Sequence, residues 1–218
     1  MYRPVAVFLG DSYTSGWNGI GSGSRGWASD VAAALGARKI NLAVAGTGFV
    51  RGGTQGGTEG QRVGIQLPAA IAAKPAIVFL AAGLNDIYSP RARVLQAADD
   101  VVFRLRSALP KVRIVIIGPW WPKADLPPPA TLIALRDRLR AGAARIGAVF
   151  VDPYGDRWFA GVNRQFIGPD HWHPTDAGYR FIARKVLSAI SAWVPEPNDP
   201  RPNRSGSAYC VGGTSLPR

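Results

Sequence analysis

Residues 5–16 read VAVFLGDSYTSG: an unbroken apolar run, a glycine, and a hydroxyl-rich stretch closed by a second glycine at position 16. A strand with one face in water alternates apolar and polar residues, whereas a strand covered on both faces of a parallel sheet is continuously apolar. VAVFL is of the second kind. It is expected to be a buried parallel strand, with GDSYTSG turning the chain at its C-terminal end.

Four further runs have the same character: KINLAV at 39–44, AIVFLAA at 76–82, VRIVIIG at 112–118 and AVFVD at 148–152. Their starts lie about 35 residues apart, which is the length of a strand plus its return helix. Helical spacing fills the gaps, in WASDVAAALG, RVGIQLPAAIAA, ARVLQAADDVVFRLRSAL and PATLIALRDRLRAGAARI. A last helix follows Pro174, a residue suited to a first helical turn, with Ile182, Val186, Ile190 and Trp193 recurring on one face. This alternation predicts an α/β protein, a three-layer α/β/α sandwich around a five-stranded parallel sheet.

The chain of 218 residues, 47% hydrophobic and 18% charged, suits one domain with a core of adequate size. Its single cysteine, Cys210, excludes an internal disulfide and a thiolate metal cluster. No basic, apolar and cleavage-site series opens the chain, and the longest apolar candidate, around 67–83, is broken by Lys74 and Pro75. No signal peptide or membrane span is therefore expected, and the location is cytoplasmic by default. The net charge of +12 is dispersed along the chain and comes without a nucleic-acid motif, so no nucleic-acid partner is expected.

Two connections are long. Residues 46–62 hold seven glycines, and residues 118–129 hold five prolines beside Trp120 and Trp121. Both follow strand C-termini, the edge at which open α/β sheets bind ligands. The glycine-rich stretch lacks a Lys-Ser or Lys-Thr ending and any GxGxxG run, which excludes a nucleotide loop. From Pro195 to Arg218 the chain is rich in proline and aperiodic, and is read as a tail outside a domain spanning 1–194.

Polar residues follow several strand ends: Ser12 after the first, Gly46 after the second, Asn85 and Asp86 after the third, and DHWHP, 170–174, after the fifth. A serine nucleophile needs a base, a carboxylate to orient that base, and NH donors for a developing oxyanion. Ser12, a histidine, an aspartate, the Gly46 backbone and the Asn85 amide make up that set. The base is His171 or His173; the carboxylate is Asp170 or Asp152, which ends the fifth strand. A metal site from the two histidines with Asp170 or Asp176 is disfavoured by the absence of a helical HExxH arrangement.

In the order GDSYTSG, NLAVAG, GLND and DHWHP, the chain resembles the SGNH hydrolases, the GDSL esterase and lipase superfamily, over roughly residues 4–192. The resemblance implies a flavodoxin-like sheet and a serine esterase that uses no metal or cofactor. Ser12 would be the nucleophile, with Asp170 and His173 completing the triad. The Ser12 NH, the Gly46 NH and the Asn85 side chain would form the oxyanion hole. A spacing of three across a turn suits the Asp170–His173 pair, leaving His171 as a loop residue and Asp86 as structural. Tyr88, Trp120, Trp121 and Trp172 are expected around the substrate, taken to be a small-molecule or carbohydrate ester with a short acyl group. Acyl transfer through the same acyl-enzyme, and an inactive module binding an anionic polymer, are the alternatives.

Overall fold

The computed structural model describes residues 3–17, 26–52, 62–123 and 125–194. Five strands, β1 (Val5–Gly10), β2 (Arg38–Asn41), β3 (Ile77–Ala81), β4 (Arg113–Ile117) and β5 (Val149–Val151), form one sheet in the order β2-β1-β3-β4-β5. Every neighbouring pair is parallel. The α-helices are α1 (Ser12–Ser15), α2 (Gly26–Ala34), α3 (Val63–Ala72), α4 (Arg91–Ala108), α5 (Ala130–Arg145) and α6 (Asp176–Ala189).

Strand residues alternate between two cores, as the pleat requires. Phe8, Phe79, Val115 and Ile117 meet Trp27 and Val31 of α2 and Ile182 and Val186 of α6. On the opposite face Val7, Leu9, Val78 and Leu80 meet Leu67 of α3, Val101 and Leu105 of α4, and Leu135 of α5. The three-layer sandwich is therefore present. The strand order reverses between β1 and β3, so the loops leaving their C-terminal ends diverge and open a crevice there.

Three boundaries differ from the sequence reading. β2 stops at Asn41, not at Val44: Leu42 N and Val44 N still donate to Phe8 O (2.9 Å) and Gly10 O (3.1 Å) of β1, while the Asn41 side chain turns the chain locally, its Oδ1 accepting from Ala43 N (3.1 Å) and its Nδ2 donating to Thr14 O (2.8 Å). The last helix begins at Asp176, with Thr175 as its N-cap accepting from Gly178 N at 3.1 Å. Pro174 lies before that cap, in an isolated antiparallel bridge with Ile167, and Trp193 belongs to a separate 3-10 turn, Ser191–Trp193. Most of the glycine-rich stretch, the 195–218 tail and Cys210 lie outside the described residues. Among those described, no helix is long and apolar enough to cross a membrane.

Candidate active site

The site is assembled from the C-terminal ends of β1 and β3 and from the loop that precedes α6. At the end of β1, Gly10 pairs with Ala81, and a Cβ there would stand 2.2 Å from the Ala81 carbonyl oxygen. Only glycine lets the strands stay paired up to the turn. Asp11 then caps α1, its Oδ1 accepting from Tyr13 N at 3.0 Å, and Gly16 closes the helix in the left-handed conformation. Ser12 is thus the first residue of a helix fixed at both ends. Asp11 is fully buried; burial raises its carboxyl to about 7, and its Oδ2 has no hydrogen-bond partner among the described residues.

The loop before α6 is closed by Gly168 N donating to His173 O (2.7 Å) and Thr175 N donating to Phe166 O (2.9 Å). Within it the Asp170 carboxylate serves two purposes. Its Oδ1 accepts from Trp172 N and His173 N, each at 2.9 Å, while Oδ2 lies 2.6 Å from His173 Nδ1. His173 Nε2 is 3.0 Å from Ser12 Oγ. Burial acts to raise the Asp170 pKa, but the His173 NH, the His173 ring and the Trp172 NH outweigh it and hold the carboxyl below its ordinary value. Asp170 therefore stays a carboxylate facing the imidazole. His171 is exposed, in the left-handed conformation at φ +60°, and takes no part in this chain of bonds.

Asn85 sits in a 3-10 turn over Leu84–Asp86 and donates Nδ2 to Thr47 O at 2.9 Å, leaving its second amide hydrogen available. The Asp86 carboxylate accepts from Phe49 N (2.6 Å), Val50 N (3.1 Å) and Arg51 N (2.9 Å). It fills the space where a Cβ on Gly48 would be, 2.4 Å away, so Asp86 and the segment after Gly46 lock together. Gly46 has φ +79°, and neither its NH nor that of Ser12 is donated to any acceptor among the described residues.

A cavity of about 160 Å³ brings Ser12, Asn85, His173, Tyr88 and Trp172 together with Arg51, Leu84 and Ile87. Tyr88 is 87% exposed at its mouth. Two of the aromatic expectations need correction. Trp120 has no exposed surface: its ring stacks on Tyr13 at 5.1 Å and belongs to the core. Trp121 is 9% exposed and lines a separate cleft of about 450 Å³, touching Trp172 edge-on at 6.3 Å. Asp152 ion-pairs with Arg136 and Arg140 of α5, which removes it as an orienting acid for the histidine.

Sequence reasoning passed over Tyr13 and Arg51. The buried Tyr13 hydroxyl donates to Trp172 O, tying α1 to the histidine loop, and burial pushes its phenol well above the ordinary value. A tyrosine beside Ser12 in an otherwise small, polar turn was the available signal. Among the described residues, no cluster of three or more histidine, cysteine, aspartate or glutamate side chains is placed to hold a metal.

Residues 8–181 match the model of the GDSL-like lipase/acylhydrolase family. The chain belongs to that family. As a GDSL member it is an SGNH-type serine hydrolase, an esterase in the general sense. It is 35% identical over 194 residues to a GDSL lipase of Mycobacterium tuberculosis, an alignment covering 87% of this chain and 82% of that one. The GDSL fold is also seen in solved structures at lower identity. A lipase/acylhydrolase from Enterococcus faecalis matches with a TM-score of 0.69 at 18% identity, covering 89% of this chain and 98% of the other. An acetylxylan esterase from Geobacillus stearothermophilus matches with a TM-score of 0.64 at 20% identity, covering 88% and 96%.

Proposed function

We propose that the protein hydrolyses carboxylic esters with short acyl groups, small acetylated sugars among them, through an acyl-enzyme on Ser12. The observation that carries this reading is the continuous link Asp170 Oδ2 to His173 Nδ1 (2.6 Å) and His173 Nε2 to Ser12 Oγ (3.0 Å). The second length is within reach of proton transfer from a hydroxyl to an imidazole, and the first lets the carboxylate hold the ring in place.

His173 takes the Ser12 proton as the oxygen attacks the ester carbonyl. The oxyanion is received by the NH groups of Ser12 and Gly46 and the free amide hydrogen of Asn85. Collapse expels the alcohol, which leaves with the proton carried by His173. Water then attacks the acyl-enzyme, giving its proton to His173, and the acid departs as Ser12 recovers its hydrogen. Asp170 keeps the imidazole in the tautomer that accepts at Nε2 and stabilises the imidazolium. The cavity volume of about 160 Å³ supports a short acyl group. The catalytic unit in this reading is residues 1–194, with 195–218 as a tail outside it.

A fluorophosphonate probe followed by peptide mapping tests the nucleophile, and para-nitrophenyl esters of graded chain length, run beside acetylated xylose, test the substrate class. Labelling is expected at Ser12 and is lost in Ser12→Ala, whose turnover should fall by around a millionfold. Ser12→Ala protein retaining a tenth of the activity would remove Ser12 from the mechanism, and faster turnover of long-chain esters than of acetyl esters would remove the short-acyl reading.

A further inference from the structure

Arg51 is a charged side chain lining the candidate catalytic cavity, and the triad does not use it. Its root is fixed from two sides. The Arg51 NH is donated to the Asp86 carboxylate at 2.9 Å, and the Arg51 carbonyl accepts from Gly48 N at 2.8 Å. The guanidinium itself has no hydrogen bond or ion pair among the described residues. A cation held at a cavity wall by its backbone, with its donors unspent, is suited to a ligand carboxylate.

The surroundings carry the same sign. Among the described residues, no acidic side chain lines the cavity. Lys123 Nζ lies 4.0 Å from the centroid of the Trp172 ring, and Trp172 lines the cavity. Two nearby carboxylates are already engaged. Asp170 is bonded to His173 and two backbone NH groups, and the buried Asp86 accepts from three backbone NH groups; burial raises its pKa, while those NH groups and the nearby charge of Arg51 act to lower it. The net charge of +12 adds a long-range field of matching sign.

We propose that the site selects esters that carry a carboxylate near the scissile bond, and that Arg51 is the residue that reads it. This rests on the serine esterase reading and narrows its substrate class. The carboxylate has two possible places, on the alcohol side, as in an acetylated acidic sugar, or on the acyl side, as in the half-ester of a dicarboxylic acid. Recognition is the same in both: the guanidinium pairs with the anion while the carbonyl sits at Ser12.

Two matched pairs of substrates test it and separate the two sources. Para-acetoxybenzoate against para-acetoxybenzamide places the charge on the alcohol. The mono-para-nitrophenyl ester of adipate against para-nitrophenyl hexanoate places it on the acyl group. In the wild-type protein the ratio of kcat/KM, anionic over neutral, should exceed one in at least one pair and shrink as salt is raised. In Arg51→Gln that ratio should drop about five- to tenfold, mainly through KM, which is what a partly solvated charge pair supplies. Arg51→Lys should recover part of it and Arg51→Glu should invert it. A ratio at or below one in both pairs, or one that is equal across the four proteins while the neutral esters are still turned over, overturns the role of Arg51 and leaves the esterase reading standing. Failure of the wild-type protein to turn over any of the four esters overturns both.

Discussion

The two histidines, two positions apart in sequence, are separated by what each touches. His173 bridges Asp170 and Ser12, while His171 faces solvent in a left-handed conformation. His173→Ala is therefore expected to lose nearly all ester turnover, and His171→Ala to change kcat/KM by less than about tenfold, since a surface contact is worth little more than 1.4 kcal/mol. Steady-state kinetics on one short-chain ester checks both, and the reverse pattern would reassign the base. Asn85→Ala removes a donor whose bond strengthens only as charge develops. It should lower kcat by roughly a hundredfold to a thousandfold with little change in KM. A change confined to KM would make Asn85 a ground-state binder.

One scale up, the turn after β3 and the segment after β2 behave as one piece, because the Asp86 carboxylate occupies the space left by the missing side chain of Gly48. Gly48→Ala puts a methyl group 2.4 Å from that carboxylate and must displace it from the NH groups of Phe49, Val50 and Arg51. The variant should lose several degrees of melting temperature and also lower kcat, because Thr47 O, the anchor for Asn85, belongs to the same segment. Unchanged melting and unchanged kcat together would show the segment to be looser than this packing implies. Lengths and identities of elements were legible in sequence where the pattern is local. VAVFL and AIVFLAA announce central strands by their continuous hydrophobicity, and the strands they form, β1 and β3, are buried throughout. The end of β2 was not legible, since it depends on Asn41 reaching Thr14 on another element. The same holds for Trp120. Nothing beside it in sequence shows that Tyr13 will stack on it, so a tryptophan in a proline-rich loop reads as a surface platform when it is core. That Ser12 and Asn85 would lie on one edge was legible because each stands in a short block at a strand end, whereas Asp170 and His173 lie in the loop before α6, well past the end of β5, and were picked out by the family resemblance.

For the molecule as a whole, the buried Asp11 links the site to global stability. Its carboxyl is raised from 3.8 to about 7 by burial, so between those values the folded protein holds a proton that the unfolded chain has released. Stability from this group is fully present below about pH 4 and is lost as pH rises through about 7, by a few kcal/mol at most. Asp86 is shifted in the same direction; Asp170 is shifted the opposite way, so its contribution is lost only as pH falls below the ordinary carboxylate range. Urea unfolding at intervals across pH 4 to 7 should show stability declining, and Asp11→Asn, which keeps the Oδ1 cap but cannot ionise, should flatten the decline. An unaltered slope in that variant would assign the proton uptake to another group.

The hydroxyl of Tyr13 meets the carbonyl of Trp172 across 159 residues of chain, and Ser12 meets His173 across 161. In the order of synthesis the proposed nucleophile precedes its proposed base by 161 residues. Domains gather their parts as synthesis proceeds, at about 5–20 residues per second. While those residues are being added the emerging chain carries that serine without its base, so on the serine-esterase reading ester cleavage is withheld until the loop before α6 has docked. On that reading a chain cut short anywhere before residue 173 is chemically silent however well its sheet has formed.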